Sequence, residues 1–196
     1  MPRISEARKA AQRARIVDAL LEVVAEKGIA DTSMADVIER SGLSAGAIYG
    51  YFPSKDEILV AAAREVVSDR ANVFAQLADR DPVPPPPQVV REMAGSLPDV
   101  ARDARAMMQV WGQAMTHDEL SSWTRNIVGR LLEAIEVYLR AWFDQCGHVD
   151  PDVAARRGAP TLLALVQGYI VQSALRGDVD LDEFVAGIST LFGEHG

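Results

Sequence analysis

Apolar residues recur every three or four positions along nearly the whole chain, and no segment alternates apolar and polar as a half-buried strand does. The pattern predicts an all-α protein. In the first helix Ile16, Ala19, Leu20, Val23 and Val24 form one stripe, and Gly28 falls where a left-handed C-terminal cap belongs. A short second helix follows Thr32 and Ser33. Ser33 and Asp36 have the spacing of a capping box, and Met34, Val37 and Ile38 face inward. It stops at Ser41-Gly42, again a glycine at a cap position. A third helix begins after Ser44, a good N-cap, and runs through Tyr49 to Phe52. Pro53 closes it, because proline disfavours helical geometry in the residue before it and has no amide donor.

Ser54 and Glu57 repeat the capping pattern and open a helix reaching towards Ala78. The run Asp81-Pro82-Val83-Pro84-Pro85-Pro86-Pro87 predicts a stiff, extended loop. Beyond it the periodicity predicts helices over about 88–96, 99–116 and 119–145, then a turn at Gly147 to Pro151. Two last helices, about 152–176 and 180–193, are separated by Gly177-Asp178, for nine in all.

Composition narrows the class. A 196-residue chain with 48% hydrophobic and 24% charged residues is globular in balance and fits one small domain plus one of medium size. No apolar run approaches a membrane span, and Met1 to Glu6 lacks the apolar core of a secretory signal, so the cytoplasm is the expected location and no membrane partner is expected. Cys146 is the only cysteine, and His117, His148 and His195 are scattered, so neither a disulfide nor a metal is expected, and no cofactor is called for. The net charge of −8 is unevenly distributed. Residues 1–55 carry eight basic and seven acidic side chains, against twelve and twenty-one in the remainder. Five of the basic residues lie in the first fifteen positions, which points to a small anion-binding head on an acidic body, or to a solvated terminus.

Two short helices joined by a glycine turn on a longer first helix have the layout of a helix-turn-helix. The second of the pair enters the major groove amino end first, so its leading residues must be small or polar; here they are Ser44, Ala45, Gly46 and Ala47. Tyr49 and Tyr51 offer hydroxyls to phosphate oxygens, and Lys55 adds a cation. The same spacing also fits a plain helical hairpin with Leu43, Ile48 and Phe52 as its core.

The strings Thr32-Ser33-Met34-Ala35-Asp36-Val37-Ile38 and Ser41-Gly42-Leu43-Ser44-Ala45-Gly46-Ala47-Ile48-Tyr49-Gly50-Tyr51-Phe52-Pro53-Ser54-Lys55-Asp56-Glu57-Ile58-Leu59 resemble the N-terminal domain of the TetR family of repressors, over about residues 14–60. The resemblance implies a DNA-binding domain at 1–53 and an effector-binding and dimerisation domain at 54–196. It implies operator contacts from Thr32, Ser33, Ser44, Ala45, Gly46, Ala47, Tyr49, Gly50, Tyr51 and Lys55, with Val37, Ile38, Ile48 and Phe52 as core. Two positions depart from the family: Ala45 stands where lysine is frequent, and Gly50 where histidine or another larger polar residue is frequent. Thymine-methyl contacts, close backbone approach and DNA shape then carry more of the specificity, with the segment Arg3 to Arg15 reaching the backbone or minor groove.

For the body, the resemblance implies a small-molecule effector and a homodimer on a near-palindromic operator. Leu162, Val166, Tyr169, Ile170 and Ala174, with Phe184, Ile188, Leu191 and Phe192, are the expected dimer interface. Met108, Trp111 and Met115 share a helical face and, with Trp123, Tyr138 and Phe143, and more weakly Gln167, could line an apolar effector pocket or form ordinary core. Together these predict a dimeric repressor released from DNA by a small, largely apolar effector. The alternatives are a helical small-molecule-binding protein with weakened DNA affinity, an activator, or an enzyme; against the last, no acid pairs with a credible nucleophile.

Overall fold

The computed structural model describes residues 6–96, 108, 118–177 and 179–192, with the side chains of 66, 118–123 and 192 outside the description. Among the described residues there are eight helices and no strand: α1 (Glu6–Lys27), α2 (Met34–Ser41), α3 (Ala45–Tyr51), α4 (Lys55–Ala78), α5 (Pro86–Gly95), α6 (Asp118–Gln145), α7 (Pro151–Arg176) and α8 (Leu181–Phe192). The helix expected over 99–116 lies outside the described residues except for Met108, which is helical. None of the described helices is long and apolar enough to cross a membrane.

The chain divides into two compact units, with boundaries inside α4 after Val66 and inside α6 after Trp123. In the first, the predicted stripe of α1 is buried at Ile16, Val17, Ala19, Leu20, Val23 and Val24. Val37, Ile48, Phe52, Ile58, Ala61 and Ala62 are buried in the same unit. Gly28 and Gly42 take left-handed backbone (φ 85° and 63°), and the Gly42 amide donates to the Ile38 and Glu39 carbonyls, closing α2.

The second unit is built on α5, α6 from Thr124 on, α7, α8 and the end of α4. Phe74, Leu77, Val89, Val90, Met93, Ile135, Tyr138, Leu139, Leu162 and Ile188 belong to one core cluster. The proline run behaves differently from the expectation of a loop through Pro87. Helix α5 starts at Pro86, with two prolines in its first turn, where their missing amides would have no intrahelical partner anyway. The segment before it is tied to α6: Tyr138 donates its hydroxyl to the Pro84 carbonyl at 2.7 Å, while Gln145 accepts from the Val83 amide at 2.7 Å and donates to the Val83 carbonyl at 3.1 Å. Helix α7 is capped by Asp150, whose carboxylate accepts from the Val153 amide, and it continues through Pro160. Ala159 and Leu162 beside that proline are almost wholly buried, and their packing offsets the ladder bond that proline removes.

Candidate nucleic-acid interface

The head is assembled from local bonds that the sequence dictates. Ser33 and Asp36 form the reciprocal box: the Asp36 amide donates to Ser33 Oγ at 3.3 Å, and the Ser33 amide and hydroxyl donate to Asp36 Oδ2 at 2.7 and 2.5 Å. Lys27 at the end of α1 reaches Asp36 at 2.6 Å, and Arg40 bridges Glu22 at 3.1 Å and Glu26 at 2.5 Å, so both ends of α2 are tied to α1. The Lys27 ammonium, followed by Ser33, holds the Asp36 carboxyl well below its ordinary range, and Arg40 lowers that of Glu26.

A pH dependence follows. Because the Asp36 pKa is lower folded than unfolded, its stabilising effect is complete above the ordinary value of 3.8 and is lost as pH falls through the depressed folded value. The melting-temperature gap between wild type and Asp36→Asn should therefore be present at neutral pH, shrink below that ordinary value, and vanish at more acid pH. A gap independent of pH would show that the carboxylate charge is not the cause.

Helix α3 is capped by Ser44, whose Oγ accepts from the Ala47 amide at 3.3 Å. Its periodicity divides it cleanly. Ile48 is fully buried, Ala47 and Tyr51 are half-buried, and Ala45, Gly46, Tyr49 and Gly50 lie together on the exposed side. Tyr49 is 52% exposed, and its hydroxyl has no hydrogen bond among the described residues. A Cβ added at Gly46 or Gly50 would meet nothing within 4 Å, and neither glycine has positive φ. The chain's own packing therefore does not demand glycine at either position.

Three of the expected DNA contacts form hydrogen bonds within the chain. Thr32 is buried, its hydroxyl donating to the Gly28 carbonyl at 2.6 Å to close the α1–α2 loop. Tyr51 donates to Gln12 Oε1 on α1 at 2.7 Å. Lys55 donates to the carbonyls of Ile29 and Thr32. Ser33 remains exposed, with its hydroxyl engaged by Asp36. Gln12 was absent from the expected site, although it stands four residues before Ile16 and so continues the inner stripe of α1. Arg13 lies over the Phe52 ring, 4.3 Å from its centroid, and the Arg15 guanidinium would come within 3.1 Å of a Cβ at Gly42. Neither arginine has a carboxylate partner among the described residues. They place cations beside the turn and the end of α3.

In the body, Tyr138, Phe143, Gln167 and Met108 are the expected effector residues whose side chains are described. Tyr138 is fully buried core, 5.9 Å from the Phe74 ring centroid, with its hydroxyl taken by Pro84. Phe143 is half-buried between Trp142 and His148, and Gln167 is half-buried on α7. Met108 is 43% exposed. Trp111 and Met115, and the side chain of Trp123, lie outside the described residues. One open groove of about 850 Å³ lies between α5 and α8, lined by Gln88, Arg91, Glu92, Val185, Ser189 and Thr190 among others. None of the expected effector residues lines it. Its charges are paired, Arg91 with Asp182 and Glu92 with Arg80. Among the described residues no three His, Cys, Asp or Glu side chains gather as metal ligands would.

Of the expected dimer residues, Leu162, Tyr169, Ile170 and Ile188 are buried within the chain and Val166, Ala174 and Phe184 are half-buried. Leu162 and Ile188 are in the main core, and Tyr169 and Ile170 form a second cluster with Ala94, against which Val166, Ala174 and Phe184 pack. The reason is the apolar character of α7 on more than one side: its strongest stripe is covered by the chain's own helices. Leu191 is 80% exposed, and the Phe192 side chain lies outside the description. Thr161, Ala164, Gln172 and Leu175 are exposed on α7 and share one face at helical spacing.

A short helix pair turned by a left-handed glycine, with the second helix presenting small residues and an unengaged tyrosine outward, is the helix-turn-helix of a DNA-binding regulator. Comparison with known proteins places it further. Residues 16–69 match the family described as bacterial regulatory proteins, tetR family, and residues 87–192 match the BetI-type transcriptional repressor C-terminal domain. The HTH-type transcriptional regulator BetI of Serratia proteamaculans (strain 568) is 30% identical over 173 residues, spanning 85% of this chain and 82% of the relative. A TetR transcription regulator from Haloarcula marismortui ATCC 43049 shares the fold with a TM-score of 0.73 at 18% identity, covering 92% of this chain and 96% of that one. A transcriptional regulator from Saccharomonospora viridis, solved in complex with choline, gives 0.68 at 21% identity over 95% and 97%. The chain belongs to the TetR family and carries a BetI-type C-terminal domain. It is a transcriptional regulator rather than an enzyme.

Proposed function

We propose that the protein is a cytoplasmic repressor that binds a near-palindromic operator as a homodimer and leaves it when a small effector binds its body. The observation that carries this reading is the outward face of α3. Ala45, Gly46, Tyr49 and Gly50 are exposed together, and the Tyr49 hydroxyl makes no bond within the described chain. Such a surface approaches DNA closely: small side chains admit the groove edge, Tyr49 donates to a phosphate oxygen, and Arg13 and Arg15 add charge from α1. Base-edge hydrogen bonding is sparse, so groove shape and thymine methyls carry much of the discrimination.

Dimerisation through the exposed face of α7 and the adjoining α8 would bring two α3 helices to successive major grooves. The effector is a compact molecule with substantial apolar surface. Choline in a neighbour of the same fold supports a quaternary ammonium among the first ligands to try. Release follows if the effector prefers the conformation in which the two heads no longer match the operator spacing.

The test is salt-dependent binding to the DNA upstream of the protein's own gene, with random duplex as reference. Wild type should prefer the upstream fragment, and Tyr49→Ala should bind it at least about tenfold more weakly, the scale of a lost hydrogen bond to a charged group. If wild type shows no preference for that fragment, the operator reading fails there.

A further inference from the structure

The end of α3 is held against the second turn of α1 by two contacts, and each leaves donors unused. Tyr51 donates its hydroxyl to Gln12 Oε1 at 2.7 Å. That bond fixes which way the Gln12 amide faces, because its oxygen can only accept and its nitrogen can only donate. Both N–H groups of Nε2 lie on the side away from the bond, and they have no partner among the described residues. One residue on, the Arg13 guanidinium lies over the face of the buried Phe52 ring, 4.3 Å from its centroid. Such a contact orients the charge without consuming its N–H donors. Arg13 is exposed and has no carboxylate partner among the described residues. Its surroundings in the chain are cationic: residues 7–17 hold Arg8, Lys9, Arg13 and Arg15 and no acid. Of these, Lys9 pairs with Glu6.

We propose that Gln12 and Arg13 form a binding site for the phosphates of the DNA backbone, the amide oriented by Tyr51 and the guanidinium by Phe52. The proposal rests on the reading of α3 as the helix that enters the major groove. A helix that enters amino end first keeps its other end towards the mouth of the groove, where the phosphates run, and Tyr51 and Phe52 are that end. Gln12 offers two neutral donors and Arg13 a charged set, the groups that phosphate oxygens accept from. Both side chains are already held by α3, so little of their freedom is lost on binding. A backbone site adds affinity without reading bases, which suits a recognition helix whose exposed residues are Ala45, Gly46, Tyr49 and Gly50.

Arg13→Met keeps an unbranched stem against the Phe52 ring and removes the charge. Binding of this variant and of wild type to a short duplex of random sequence is followed against salt. Loss of a phosphate ligand should flatten the slope of log K against log salt by about 0.9 for each head bound. An unchanged slope would leave Arg13 as packing alone and overturns the proposal. Gln12→Glu still accepts from Tyr51 but replaces the two donors with a negative charge. It should bind the duplex at least about tenfold more weakly than Ala11→Glu, which puts the same charge on the neighbouring exposed residue and leaves Gln12 in place. Equal weakening by the two variants would be general repulsion of the phosphates and overturns the proposal.

A further measurement needs no variant and stands even if the substituted heads fail to fold. Phenylglyoxal modifies accessible guanidinium groups, and peptide masses locate the modified residues. Saturating duplex should slow the modification of Arg13 in wild type, while Arg156 and Arg157, exposed on α7, react as they do in the free protein. Arg13 modified equally fast with and without duplex overturns the proposal. If wild type binds no duplex, the reading of α3 falls and this site falls with it. If wild type binds and Arg13 stays unprotected, only the site at Gln12 and Arg13 falls.

Discussion

Ile48→Asp should abolish DNA binding by unfolding the head while leaving the body folded. Ile48 is fully buried, on the inner side of a seven-residue helix whose stability depends on packing rather than on propensity. A carboxylate there loses the isoleucine's burial, about 2–5 kcal/mol for a large core side chain truncated, and must also be desolvated without a partner. A small unit has little reserve against such a loss. The check is site-resolved hydrogen exchange. Protection should disappear in α1–α3 and persist in α5–α8, with no measurable affinity for duplex at low salt. Protection lost throughout would mean that the two units do not fold separately. Retained protection in α1 and α2 would show that α3 contributes little to the head's core.

Tyr138→Ala should destabilise the body by about 3–5 kcal/mol, the cost of removing a large buried aromatic side chain. Tyr138 is fully buried against Phe74 and donates to the Pro84 carbonyl. Burial pushes its phenol well above the ordinary value of 10, so the hydroxyl remains a donor throughout the useful pH range. Tyr138→Phe isolates the hydroxyl: the ring stays and the Pro84 carbonyl loses its donor, for about 1–2 kcal/mol. Chemical denaturation with both variants checks the division. Equal losses would locate the energy in the hydrogen bond, and a negligible loss for the alanine variant would place Tyr138 in a cavity wall, as the effector reading had it.

The sequence disclosed most where one residue type determines a local event. The Ser33-Asp36 box, the Ser44 cap and the turn at Gly42 depend on bonds within a few residues, so spacing alone locates them. The start of α5 was placed two residues late because proline signals both a loop and a first helical turn, and only the chain beyond Pro87 decides between them. Lys55, Tyr51 and Thr32 show where local reading ends. Each has a polar group fit for phosphate and uses it within the chain: Lys55 and Tyr51 on atoms that only the tertiary fold brings near, Ile29 and Thr32 for Lys55 and Gln12 for Tyr51, and Thr32 on the Gly28 carbonyl four residues back. The same holds for α7. Its apolar faces are plain in sequence, but which of them meets α5 and α6 and which stays outward depends on the packing of all three.

Gly46 and Gly50 carry one further implication. Neither has a neighbour that a side chain would strike, and neither relies on the backbone freedom of glycine. Replacing them would leave the head's own packing intact and would if anything favour its helix, since glycine is a poor helix former. If α3 reads the operator as proposed, the DNA preference of this protein is separable from its foldability: new residues at Gly46 and Gly50 would act on the operator and not on the scaffold.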